Sequence, residues 1–274
     1  MSINPLTAGS TNAASGILGS LGDNSSLISS IQTQLSTNKK TLDPAQQGVV
    51  TRLTSQVKSF EAAASNISKA KNVLNVAATG LTSIASLLTQ MQALANQAND
   101  ATMGDSDKLK LQQTFTALLT QVNATANGAK VDGVGLIGAG GTGGVTNLNI
   151  QTGLTSADTT EIQAQSSDAT GLSITGLSIT GSGAGAAMTA LASALSTISG
   201  AQSSIAANQL TLDTVAAQDA SISTNVQNAI DSIQKPDAAA LQMQLQNANN
   251  QQSMNYYLIN QMNQEAQAVL TIFR

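Results

Sequence analysis

Apolar side chains recur at alternating three- and four-residue steps through long stretches of this chain. The longest run takes in Val50, Leu53, Val57, Phe60, Ala64, Ile67, Leu74, Ala78 and Leu81. That alternation is a heptad seam, the stripe along which one α-helix buries itself against another. Lys71 is the one charged residue in the run. A lone polar seam residue can fix register, but the long lysine stem also suits the bundle edge, where its ammonium reaches water. Past Gly80 the stripe shifts to Ile84, Leu87, Leu88, Met91, Leu94 and Ala98. A helix from about residue 49 to 99 runs about 70 Å at ~1.5 Å per residue. That is too long for an ordinary globular domain and predicts a rod or bundle. Asp43-Pro44 marks its start, because proline is tolerated in a first helical turn.

The polar stretch 99–106 breaks the pattern, with Asp105 or Ser106 as the expected N-cap. Leu111, Phe115, Leu118, Val122 and Ala126 then share a second helical face, closed by Asn127-Gly128. From about 130 to 182 the period changes to two, between glycines. Val145, Leu148 and Ile150, then Ile162 and Ala164, then Leu172, Ile174, Leu177 and Ile179, predict short strands or hairpins. Residues 172–181 form a five-residue near-repeat. Helical spacing returns at Met188, Leu191, Leu195, Ile198, Ile205 and Leu212, and after a slip at Ile222, Val226, Ile230 and Ile233. Lys235-Pro236 ends that helix, and Asp237 caps a last one that carries Leu241, Leu245, Ala248, Tyr257, Leu258, Met262, Val269, Leu270 and Phe273. At the other end, Leu27, Ile28, Ile31 and Leu35 have helical spacing, but Gly16, Gly19, Gly22 and Asn24 before them weaken an isolated helix. That segment is expected to be loose alone and to fold on a partner.

The order of types is a palindrome of short helix, long helix pair, β insert, long helix and short helix. It predicts a mainly α, coiled-coil-like antiparallel bundle, with a small β-hairpin insert at its far tip. The expected division is 1–40, 41–137, 138–183, 184–235 and 236–274. Rod packing falls to Val50, Leu53, Val57, Phe60, Ile67, Leu74 and Leu81, to Leu111, Phe115, Leu118 and Val122, and to Leu191, Leu195, Ile198 and Ile205.

Composition narrows the function. The 274 residues include no His and no Cys, which excludes a histidine base, a cysteine nucleophile, a disulfide and Cys- or His-ligated metals. Only 9% are charged and 2% aromatic, against about a quarter charged in typical soluble domains. A chain that buries much of its surface against copies of itself needs neither. The net charge of −4, with eleven scattered cations, leaves no footprint for nucleic acid. No apolar run approaches the ~20 residues of a membrane span, and no basic n-region opens a secretory signal. Asp105 and Asp107 read as helix-dipole partners before a metal pair. The glycines at 138–144 lack the lysine of a phosphate loop, and no SxxK dyad occurs. No catalytic residue, cofactor or metal site is expected.

Several stretches, taken in order, resemble bacterial flagellins. Leu27 to Leu35 with Ser36-Thr37 resembles the family's first helix and its Arg-Leu-Ser-Ser-Gly stretch. Residues 87–99, LLTQMQALANQAN, are similar to the family's Leu-Gln-x-Met/Val-Arg-Glu-Leu-Ala-x-Gln-Ala/Ser-Asn. Residues 127–137, NGAKVDGVGLI, resemble its helix-to-hairpin segment, with Asp132-Gly133 where Asn-Gly is usual. Residues 237–274 resemble its terminal helix, ending in Thr271-Ile272-Phe273-Arg274. Residues 38–48 depart from the family pattern, so the spoke there is expected to be built differently. The family's Arg-Glu pair is Gln92-Ala93, which implies weak activation of the innate-immune receptor that reads flagellins.

The resemblance implies a filament subunit whose terminal helices pair in the assembled filament. The expected self-assembly residues are Leu27, Ile28, Ile31, Leu35, Leu241, Leu245, Tyr257, Leu258, Met262, Val269, Leu270 and Phe273. It also implies a homo-oligomeric filament with hook-associated and cap proteins and an export chaperone as partners, and with no nucleic acid or membrane. The location implied is the extracellular flagellum, reached without a cleaved signal. A hook–filament junction protein and a flagellin-like surface adhesin are the alternative readings.

Overall fold

The computed structural model describes residues 5–139 and 145–272. The fold is mainly α. Five helices, α1 (Pro5–Thr37), α2 (Pro44–Ala98), α3 (Asp105–Gly128), α4 (Gly183–Gln234) and α5 (Ala238–Ile272), account for most of it. Between α3 and α4 lie two antiparallel strand pairs, β1 (Lys130–Val131) with β2 (Val134–Gly135), and β3 (Leu148–Gln151) with β4 (Thr159–Ile162). The chain divides into two compact units. One joins the residues up to Leu53 to those from Gln227 onward, and the other is Thr54–Val226.

In the Thr54–Val226 unit, α2 and α4 run antiparallel. Lys71 Nζ meets Asp213 Oδ1 at 2.5 Å, Gln209 Nε2 donates to Asn75 Oδ1 at 2.8 Å, and Gln202 Nε2 reaches Thr82 Oγ1 at 3.5 Å. The heptad positions between them form the core. Phe60, Ile67, Leu74, Leu81, Phe115, Val122, Leu191, Ile198 and Ile205 are buried, while Val57, Leu111, Leu118 and Leu195 are half-buried. Val50 and Leu53 belong to the other unit, the first buried and the second half-buried. The α4 stripe does not slip. Ile198, Ile205, Leu212, Asp219 and Val226 keep strict seven-residue spacing, and Asp219 is a buried seam position.

The insert is not at the tip. It lies along the flank of the helices, because its apolar side chains need a surface to bury against. Gln151's carbonyl accepts from Asn66 Nδ2 on α2. Asn123 Oδ1 accepts from the Ala169 N–H at 2.8 Å, and Gln112 Oε1 accepts from the Ile179 N–H at 2.7 Å, both on α3. Ile150, Ile162, Ile174 and Ile179 are buried there. The β1–β2 connection is a tight two-residue turn, with Asp132 and Gly133 at φ 53° and 81°. Both central residues are left-handed, as the common two-residue hairpin turn requires. Residues 172–181 are turns, not strands. Gly176 and Gly181 take φ of 71° and 57° and close each five-residue repeat, so that Ile174 and Ile179 both point inward.

The α3 cap also differs from expectation. Gly104 occupies it in extended geometry with no side-chain bond, and Asp105 and Asp107 fall in the first turn. Asp107 pairs there with Lys110 at 2.9 Å.

On the solvent sides of α2 and α4, hydroxyls turn back onto their own helices. Thr79, Thr82, Ser83 and Thr89, and likewise Thr189, Ser193, Thr197, Ser199 and Ser203, each donate to the carbonyl four residues earlier. By length and composition, α2 and the stretch Gly183–Ala268 are apolar enough to cross a membrane. That revises the sequence reading. Alanine, leucine and hydroxyl residues leave few charges on these helices, although the apolar side chains of α2 concentrate on the core-facing stripe.

Candidate assembly surface

In the other unit, α1 and α5 pair as antiparallel helices. Two helix starts near them are fixed by aspartates. Asp43 Oδ1 accepts from the Gln46 N–H at 2.8 Å at the head of α2. Asp237 Oδ1 accepts from the Ala239 and Ala240 N–H groups at 3.1 Å and caps α5. At the other end of α1, Asn38 takes φ 52°, the left-handed turn that ends a helix. The chain then crosses the end of α4, where the Lys40 N–H donates to the Gln234 carbonyl at 2.8 Å.

The facing stripes follow from the same spacing rule as the rods. On α1 the less exposed positions are Ile17, Leu21, Asn24, Ile28, Ile31 and Leu35, a three-four alternation. On α5 they are Leu241, Leu245, Ala248, Gln252, Asn255, Ile259 and Met262. Two side-chain bonds tie the stripes together. Asn24 Nδ2 donates to the Ala248 carbonyl at 2.6 Å, and Asn255 Nδ2 donates to Ser20 Oγ at 3.3 Å. Glycines 16, 19 and 22 do not interrupt α1, and the space around each is open.

The outward faces are more apolar than the seam needs. Leu18 is 61% exposed, Met254 64%, Tyr256 53% and Tyr257 68%, and Leu27, Met243 and Leu258 are also exposed. Scattered apolar side chains are ordinary on a protein surface. Seven large ones stand exposed on the outward faces of this helix pair. Of the residues expected from the sequence to make the assembly contacts, Leu27, Tyr257 and Leu258 lie on this outer face. Ile31 is buried in the seam, and Ile28, Leu35, Leu241, Leu245 and Met262 are half-buried along it. The side chains of Val269 and Leu270, and Phe273, lie outside the described residues. Leu18, Met243 and Met254 are exposed as well and lie outside the set expected from the sequence. They fall off the seam stripe, and the signal for them was that apolar residues recur on a helix whose buried face was already complete.

Among the described residues of the whole chain, no group of three or more His, Cys, Asp or Glu gathers where a metal ion could be held. Three carboxylates shift, all in the Thr54–Val226 unit. Hydrogen bonds from the Thr102 N–H and hydroxyl hold Asp100 below the usual carboxylate value, and those from Thr155 do the same for Asp158. Burial pushes Asp219 up, and the charge of Asp158 adds to the rise.

Residues 10–139 match the family described as the bacterial flagellin N-terminal helical region. The chain is a relative of the bacterial flagellins. The flagellin of Listeria monocytogenes is 28% identical over 109 residues, which are 40% of this chain and 38% of that protein. The flagellar filament 41 kDa core protein of Borreliella burgdorferi is 28% identical over 113 residues, 40% of this chain and 34% of that one. The match thus spans little more than a third of these curated relatives. The crystal structure of Bacillus cereus flagellin superposes with a TM-score of 0.51 at 22% identity, over 57% of this chain and 88% of that one. That likeness extends the flagellin fold beyond the matched N-terminal region.

Proposed function

We propose that this chain is a structural subunit, and not an enzyme, that self-assembles into a helical bacterial flagellar filament. The observation that carries the reading is the exposed apolar face of α1 and α5, which a single copy leaves in water. Burial against neighbours is worth ~25 cal/mol per Å² of apolar surface removed from water, multiplied along a polymer. Heterologous contacts between identical subunits that do not close on themselves generate a helical filament. Residues 1–40 and 236–274 carry the main contacts between subunits in this reading. Further copies of the chain are the main partners. Hook-associated proteins, a cap protein and an export chaperone are the others, and the working location is outside the cell.

Negative-stain electron microscopy of the purified protein, after addition of a precipitant, tests this. The full chain is expected to form long filaments. The chain lacking residues 237–274, and the double variant Tyr257→Ser/Leu258→Ser, are expected to form none. Full-length protein that stays monomeric or stops at short rings sinks the filament reading.

A further inference from the structure

We infer that Asn24 is a positioning residue that sets the register in which α1 pairs with α5. This rests on the same helix pair as the assembly reading and adds what selects its alignment. Asn24 is a seam residue only 6% exposed, between Leu21 and Ile28 in a stripe that is otherwise apolar. Its Nδ2 donates to a backbone carbonyl of the partner helix, that of Ala248, at 2.6 Å. Its Oδ1 is buried with no hydrogen-bond partner. A buried amide half satisfied in this way adds little to stability, and its value lies in the alignments it forbids.

The competing alignments are slips of one heptad. Both stripes repeat every seven residues, so a slip again sets stripe against stripe. In the observed register Asn24 faces Ala248, whose methyl leaves the helix backbone within reach of the amide. Between Leu241 and Met262, Ala248 is the one seam position with so small a side chain. A slip one way places Asn24 against Leu241, and a slip the other way places it against Asn255. In each, a longer side chain stands between the amide and the partner backbone, and the carbonyl bond is lost. The apolar positions alone discriminate less, since α5 already carries Gln252 and Asn255 in its stripe. A subunit whose two terminal helices could pair in several registers would present a different outer face in each, and identical copies could not stack.

The chain has no cysteine, so engineered thiol pairs report the register directly. Ser20→Cys with Asn255→Cys marks the observed alignment, whose side chains already meet. Ser20→Cys with Met262→Cys, and Leu27→Cys with Leu241→Cys, mark slips of one heptad in either direction. Each pair is treated with a short bismaleimide in precipitant-assembled and unassembled protein, and the intrachain product is read as a shifted monomer band with peptide mapping. With Asn24 present, the in-register pair is expected to link and the slipped pairs to stay at background. With Asn24→Leu, helicity is expected to hold while the slipped pairs rise to a yield comparable with the in-register pair. Asn24→Ala gives the same comparison should the leucine variant fail to fold. An Asn24→Leu chain that links only in register, at the yield of its parent, overturns the inference. A parent chain that links in no register overturns both the inference and the helix pair beneath it. Failure to polymerise with clean in-register linking counts against the filament reading alone.

Discussion

Gly80 shows how one missing side chain positions an insert. A Cβ built there would come within 2.5 Å of Ile137 Cδ1 and 3.0 Å of the Ala129 Cβ. A mid-helix glycine costs about 1 kcal/mol relative to alanine, so its presence in the middle of α2 has a packing reason. Gly80→Ala is expected to lower stability by ~1–2 kcal/mol, because the clash at a fully buried isoleucine outweighs the gain in helix propensity. Ile137→Val removes the offending Cδ1. The double variant should therefore be more stable than the sum of the two single changes predicts, as read by a thermal-unfolding cycle. Additive behaviour would show that the glycine is there for another reason. Asp219 is the residue-scale counterpart, a carboxyl in an apolar seam with its Oδ2 unpartnered. Facing groups are few. The hairpin contributes Asp158, and on α2 the register set by Lys71–Asp213 puts Glu61 and Lys69 within about a turn. Its folded pKa lies above the unfolded value of 3.8, so the folded chain holds the proton more tightly. Stability from this group is present below 3.8 and is lost as pH rises through the raised folded value. Asp219→Leu is expected to stabilise the protein by roughly 1–3 kcal/mol at about pH 7 and by much less in acid. Asp100 and Asp158 shift the opposite way in the parent chain, so the sign of the change between parent and variant reports Asp219. An equal gain at both pH values would contradict the assignment.

At the scale of elements, the apolar stripes made most helices legible before any coordinates. Helix α2 starts at the Asp-Pro signal, α3 ends at Asn-Gly, and α4 ends and α5 starts beside Lys-Pro. What escaped notice had a physical cause in each case. Asp219 hid the α4 repeat, because a charged residue in a seam reads as a break. Residues 172–181 alternate like a strand, but glycines at every fifth position turn the chain, and the stretch joins neither two-stranded sheet. The continuity of α1 was illegible because intrinsic propensity argues against it, while packing of its stripe on α5 argues for it and wins. Lys71 was legible as a seam anomaly, but its partner was not. The ion pair with Asp213 leaves the two side chains 37% and 55% exposed, so solvent screens it. Lys71→Met is expected to change stability by under about 1 kcal/mol in either direction. A loss of several kcal/mol on thermal unfolding would assign the pair a role in specifying the rod.

For the whole molecule, the candidate surface was only half legible. The seam residues of α1 and α5 follow from spacing, whereas the outer face becomes visible only once the seam is known to be covered. Assembly through that face makes a further prediction. Apolar contacts strengthen in sulfate and phosphate, whereas attractions between opposite charges weaken with salt. Polymer formation, followed by light scattering, should therefore rise with sulfate and change little with equal ionic strength of sodium chloride. Strong suppression by sodium chloride would point to contacts made by charge. The hydroxyls that turn back onto α2 and α4 bear on the same question. A serine or threonine that already donates to its own helix gives up few bonds to water when another surface covers it. These flanks look hydrophilic in composition, yet each such hydroxyl has already used its one donor and keeps only acceptor sites for water. The chain can thus stay dissolved on its way to a neighbour without holding a tight hydration layer that the finished joint would have to expel.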